Sequence, residues 1–189
     1  GTGPVKATVP GNRTPLYAVI AISALAVDLG SKEWAFQSLG LHGRSELLID
    51  SWLRFELLTN LNYGALWGMG QGMAPVFAVL SIGAFFGVIY WLFICGAASS
   101  LWTTVSLALI SGGTLGNLYD RLGLHGVQPP DETAVALAVR DFLHFQFGNY
   151  DYPIFNIADS CLVVGAIMLM LQSFKPLPTE ALTEARTTD

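Results

Sequence analysis

Polar and apolar positions divide this chain into long apolar runs punctuated by a few charged residues, and the longest run decides the first reading. From Leu57 to Tyr119 there is no Asp, Glu, Lys, Arg or His. That exceeds one bilayer crossing of about 20 residues, so the run must divide. The break falls at "GAASS", residues 96–100. Before it, "MAPVFAVLSIGAFFGVIYWLFIC" predicts one helix, with Pro75 in the first turn, where a missing N–H does little harm. After it, "LWTTVSLALISGGTLGNLY" predicts the next.

Two further runs, "LYAVIAISALAVDLGSKEWAF" and "PIFNIADSCLVVGAIMLMLQSF", complete a set of spans at about 16–36, 73–95, 101–119 and 153–174. The expected fold is an α-helical membrane protein with four transmembrane helices forming one domain over 15–174, and polar tails at 1–14 and 175–189. Four crossings put both tails on one side. Gly1-Thr2-Gly3-Pro4 is left out of the fold reasoning. The first run lacks a small-x-small cleavage site and reads as a retained span.

Between the first two spans the period changes. In "SWLRFELLTNLNYG", Leu53, Phe55, Leu57 and Leu61 alternate with Arg54, Glu56, Asn60 and Asn62, which predicts a half-buried strand. A small sheet resting on the bilayer follows, ending in the Gly-rich "NYGALWGMGQG". Trp34, Trp52 and Trp67 suit an interfacial belt.

Composition supports the membrane reading. The 189 residues are 52% hydrophobic and 12% charged, with mean hydropathy +0.51, about half the charged share of a soluble domain. A net charge of −5 and scattered Lys and Arg give no basic stripe, which excludes nucleic acid as a partner. Charge does not orient the chain. Lys6, Arg13, Lys175 and Arg186 lie on one side, and Lys32, Arg44, Arg54, Arg121 and Arg140 on or toward the other. Cys95 and Cys161, both in apolar runs, read as small buried apolar residues. His42, His125 and His144 are too widely spaced for a zinc pair.

Acids inside apolar runs carry the candidate chemistry, because an intramembrane carboxylate costs about 3 kcal/mol on insertion scales and marks a bundle interior or a watery site. Asp159 is the first such residue, with Asn156 three positions before it. Asp28 and Lys32, at i and i+4, read as a structural ion pair. Asn117, Asp120 and Arg121 share a helix face in "GGTLGNLYDR", where Gly112, Gly113 and Gly116 let a neighbouring helix approach. Asn117/Asp120 and Asn156/Asp159 repeat one spacing, so both pairs can point into one polar pocket. Two carboxylates there would share a proton, one acting as base toward water and the other as acid. A proton-coupled transporter would use the same inventory, so spacing alone leaves both open.

Five motifs in order resemble the lipoprotein signal peptidases, aspartyl proteases of the bacterial inner membrane. They are "DLGSK" at 28–32, "NYGALWG" at 62–68, "GGTLGNLYDR" at 112–121, "VRDF" at 139–142 and "FNIADS" at 155–160. The resemblance implies catalytic aspartates at Asp141 and Asp159. It implies site-supporting roles for Asn62, Asn117, Arg121 and Asn156, and structural roles for Asp28, Lys32 and Asp120. It further implies cytoplasmic termini, a site toward the periplasm and no metal or organic cofactor. The expected partners are membrane lipids and a lipid-modified prolipoprotein, with no obligate protein partner. The signal peptide is cut before a diacylglyceryl-bearing cysteine, and segment 46–62 cradles the substrate. One aspartate takes a proton from water while the other protonates the carbonyl oxygen and then the leaving amine.

This chain departs from the family in Gly30, in Leu66-Trp67, and in a longer segment between Arg121 and Asp141. Asp131 is the rival to Asp141 in that segment, but Pro129, Pro130, Asp131 and Glu132 suggest an exposed excursion, whereas Asp141 precedes apolar Phe142 and Leu143. The alternatives are a small transporter using Asp28 and Asp159, or an inactive relative acting as a scaffold.

Overall fold

The structure, a computed structural model, describes residues 8–64, 72–130 and 132–174. Trp67 and the Leu66-Trp67 departure, the rival Asp131 and the C-terminal tail lie outside the described residues. The element order is α1 (Arg13–Leu39), β1 (Ile49–Asp50), β2 (Leu53–Asn62), α2 (Ala74–Ile89), α3 (Leu101–Arg121), β3 (Val139–Phe147), β4 (Tyr150–Asp151) and α4 (Ile157–Ser173). A π turn, Tyr90–Ile94, extends α2, and a 3-10 turn, Ala97–Ser99, leads into α3.

Each apolar run contains one long helix, with ends set by local chemistry. α1 stops at Gly40, whose φ of +73° a residue with a side chain rarely adopts. The Ser100 hydroxyl accepts the Thr103 N–H and caps α3. α4 begins at Ile157, later than its apolar run, because Asn156 is its N-cap. The Asn156 side chain accepts the Asp159 N–H and the Asp159 carboxylate accepts the Asn156 N–H, a reciprocal cap that leaves 153–156 extended. Helix Arg13–Leu39 and the combined helix Ala74–Ile94 are long and apolar enough to cross a membrane, and Ile157–Ser173 is a shorter apolar helix. Val19, Ile22, Val79, Phe86, Val163 and Met170 point outward from these helices, as side chains solvated by lipid would.

α3 is the central helix, and glycines bring its neighbours close. A Cβ on Gly112 would collide with Ala24 and the Ala21 carbonyl of α1, and one on Gly113 with the Ala158 carbonyl of α4. From the other side, Gly165 of α4 lies against Ser106 and Ile110 of α3. Such seams let backbones approach where lipid supplies no hydrophobic drive.

The strands form one antiparallel sheet in the order β1-β2-β3-β4. β3 is an addition to the sequence reading, which assigned no strand to the segment after Arg121. The residues after the excursion pair with β2 along its length. Between Leu57 and Asn60 the register slips: Leu57 opposes Leu143, but Asn60 opposes Asp141 and Asn62 opposes Val139. Such a bulge reverses which face the following side chains occupy. Asn60 and Asn62 therefore join Phe55 and Leu57 on the face of Asp141, while Leu61 turns into a core with Phe36, Ala136 and Ala138. Simple alternation would have put Asn62 with Arg54 and Glu56.

Candidate active site

The two carboxylates come from different elements. Asp159 sits in the first turn of α4, and Asp141 lies near the start of β3. Amides tie them together. The Asn156 side-chain N–H donates to Asp141 Oδ1 at 2.6 Å and to Asn117 Oδ1 at 3.2 Å. Asn117 in turn donates to Asp159 Oδ1 at 2.8 Å, and Asn62 donates to Asp141 Oδ2 at 3.0 Å. Asn156 is fully buried and Asn117 nearly so. Asn117 and Asn156 thus meet at one pocket, although Asn156 reaches it as a cap preceding the helix.

Asp159 lines a cleft of about 610 Å³ that also touches Asn62, Asn117 and Arg121. Ser81 of α2, Val163 and Val164 of α4, and the extended segment 152–155 form its largely apolar walls. Asp141 is 1% exposed, behind the Asn62 and Asn156 amides. Burial, and after it the negative charge of Asp159, push the Asp141 carboxyl up to about 7, against the lowering effect of the two amides and Lys32. A carboxyl so placed keeps a proton near neutral pH, as acid–base work by a pair requires. Arg121, expected on one helix face with Asp120, forms no ion pair with it among the described residues. Its guanidinium lies 5.4 Å from the Phe77 ring centre, at the cleft.

The residues read as structural form a second, fully buried cluster behind Asn117. Lys32 Nζ lies 2.7 Å from Asp28 Oδ2 and 3.0 Å from Asp120 Oδ2 as ion pairs, and it donates to Asn117 Oδ1 at 3.1 Å. Asp28 Oδ1 also accepts the Ala158 N–H at 2.8 Å, fixing the start of α4 to α1. Lys32 is thus the centre of a buried ion cluster that includes Asp120 as well as Asp28.

Two features have no counterpart in the sequence reading. Arg140, inside "VRDF", is buried against Asp120 and Glu33. His144 is clamped between Glu56 and Asp151, each at 2.8 Å, which pins β2, β3 and β4 on the sheet's polar face. An arginine beside a candidate catalytic aspartate was the available signal for the first; cross-strand partners leave none for the second. The cysteines also differ from expectation. Cys95, which follows the π turn, is exposed, and Cys161 on α4 is half-buried.

Comparison with known proteins agrees with this geometry. The sequence profile of the family described as Signal peptidase (SPase) II matches residues 20–175. A lipoprotein signal peptidase of Rhodopirellula baltica is 43% identical over 171 residues, covering 89% of this chain and 75% of the relative. One from Bacillus subtilis is 34% identical, covering 83% and 92%. A solved bacterial membrane enzyme has a TM-score of 0.70 at 25% identity, covering 87% of this chain and 95% of that one. These likenesses favour the peptidase reading over the transporter. This chain belongs to the signal peptidase II family.

Proposed function

We propose that the protein is an aspartic endopeptidase that removes the signal peptide from diacylglyceryl-modified prolipoproteins, cutting before the lipidated cysteine. The observation that carries this reading is the pair of carboxylates joined by one amide web beside an apolar cleft. The fold is a membrane enzyme fold with helices and a small antiparallel sheet. Beyond that, we assign four crossings to α1–α4, cytoplasmic termini, and a site at the periplasmic face of a bacterial inner membrane. The domain is taken as 15–174.

Asp159 is the base and Asp141 the acid. Asp159 stands on the cleft wall at the positive end of α4 and accepts N–H groups from Asn117 and Asn156. It takes a proton from water as the oxygen attacks the scissile carbonyl carbon. Asp141, carrying the proton the pair shares and oriented by the Asn62 and Asn156 amides, gives it to the carbonyl oxygen. The tetrahedral diol then collapses. The C–N bond breaks, Asp159 passes its proton to the amine nitrogen, and a diol hydroxyl returns one to Asp141. The apolar cleft walls hold the lipid-bearing residue at the bilayer edge, and Arg121 braces the mouth.

The test is cleavage of a diacylglyceryl-modified precursor by purified protein, with folding checked for each variant. Asp141→Asn and Asp159→Asn each lose cleavage by about 10³-fold, because an amide cannot relay the proton. Asp131→Asn keeps wild-type cleavage. Full activity in either of the first two, or loss in the third, would move the site.

A further inference from the structure

Arg140 is 1% exposed and holds three elements together. Its Nε and Nη2 lie 3.1 and 3.0 Å from Asp120 Oδ1 on α3, and its Nη1 lies 2.9 Å from Glu33 Oε2 on α1. The guanidinium also rests 6.0 Å from the Phe36 ring centre. Its backbone N–H donates to Asp120 Oδ2 at 3.0 Å, the oxygen that Lys32 also contacts. One carboxylate thus receives both the main chain and the side chain of the residue preceding Asp141. Neighbouring strand residues point to opposite faces, so the guanidinium lies on the far side of the sheet from the Asp141 carboxyl.

The buried charges balance only with Arg140 present. Asp28, Lys32 and Asp120 have fully buried side chains and the Arg140 side chain is 2% exposed, giving two charges of each sign. Glu33 is the solvent-facing partner, with its side chain 54% exposed. Lys32 ends the cluster on the dyad side, where it reaches Asn117 and contributes to the field at Asp141. Without Arg140, Lys32 alone must answer two carboxylates, and the net positive field of the cluster at the dyad falls.

We infer that Arg140 is a positioning residue for the dyad, setting the height of Asp141 on β3 and neutralising Asp120 so that Lys32 presents positive charge to the site. The inference rests on the proposed roles of Asp141 and Asp159. The charged and titratable groups facing this unit are Asp159 and Arg121 at the cleft, Lys32, Asp28 and Glu33 from α1, Asp120 from α3, and His125 from the excursion.

The test is the pH profile of cleavage, resolved into kcat and KM, for wild type, Arg140→Met, Arg140→Lys, Glu33→Gln and Asp141→Asn, all in the full chain. Losing the cation favours protonated carboxyls. Both limbs of the Arg140→Met profile therefore move up by about half a pH unit. Its kcat falls about tenfold with KM within twofold, since the loss is in placement of the reacting group. Arg140→Lys restores the limbs but not the full kcat, because an ammonium keeps the charge and loses the fork. Glu33→Gln removes a negative charge and moves the limbs the other way, by less, because Glu33 faces solvent.

Limbs fixed at their wild-type pH in Arg140→Met would overturn the inference and leave a purely structural arginine. Should that variant fail to fold, unmoved limbs in Glu33→Gln would overturn it equally. Cleavage surviving in Asp141→Asn is a separate failure, one of the dyad itself, and takes this inference with it.

Discussion

Four aspartates converge where α1, α3, α4 and β3 meet, and they are held in two different ways. Asp28 and Asp120 are answered by cations. Lys32 lies within 3.0 Å of both, and Arg140 grips Asp120 from the other side. Asp141 and Asp159 are answered by amides from Asn62, Asn117 and Asn156, and among the described residues no cation lies within ion-pair distance of either. The partner decides the role. A cation ties a carboxylate to another element and makes it a strut, whereas an amide orients it without a fixed counter-charge beside it. Asn117 belongs to both sets, since it accepts from Lys32 and donates to Asp159.

Breaking the strut should have the largest effect on stability. Lys32→Met leaves two buried carboxylates with one cation, Arg140, and strands Asp28. Removing one partner from a buried ion pair costs about 3–5 kcal/mol. Thermal unfolding in detergent should show that loss before any question of catalysis arises. A variant that melts with wild type yet fails to cleave would place Lys32 in the chemistry and dissolve the distinction.

The legible and illegible parts of the site divide along range in sequence. The Asp28–Lys32 pair and the Asn156–Asp159 cap lie within one helical turn, so their spacing in the chain already brought them together. Asn117 could be matched to Asn156 because both precede an aspartate by three residues. The placement of Asn62 depends on the slip between Leu57 and Asn60, and the alternating pattern through "LRFELLTNLN" carries no mark of an extra residue. The burial of Arg140 was equally hidden, because it depends on Glu33 and Asp120, which lie elsewhere along the chain. β3 itself was missed because its strand follows a Pro-rich excursion and its partners lie 77 to 94 residues earlier, a pairing that no local period records.

An intermediate effect separates the pairs by pH. The Asp141 carboxyl is raised from 3.8 to about 7, chiefly by burial. Below about pH 4 it is protonated whether the chain is folded or not. Between about 4 and 7 the folded chain retains a proton that the unfolded chain gives up, so folding is favoured less as pH rises, and the contribution is gone above about 7. Melting temperatures of wild type should therefore fall relative to those of Asp141→Asn across that window. Parallel curves would mean that Asp141 has an ordinary carboxylate environment and that the amide-held pair shares no proton.

The smallest effect on stability comes from the amide nearest the cleft. Asn62→Ala removes one donor from Asp141 at a half-buried position. A hydrogen bond of this kind contributes about 1 kcal/mol, so the melting temperature should move only slightly. Cleavage should nevertheless fall about tenfold, because the acid loses the contact that aims it, and a carboxyl freed of a lowering partner holds its proton to higher pH. Measured beside Lys32→Met, this gives opposite signatures on either side of Asn117: a large loss of stability where cations hold the carboxylates, and a loss of rate with the fold intact where amides do. Equal stability losses in the two variants would mean that both clusters are struts, and that Asp141 is not one of the reacting carboxylates.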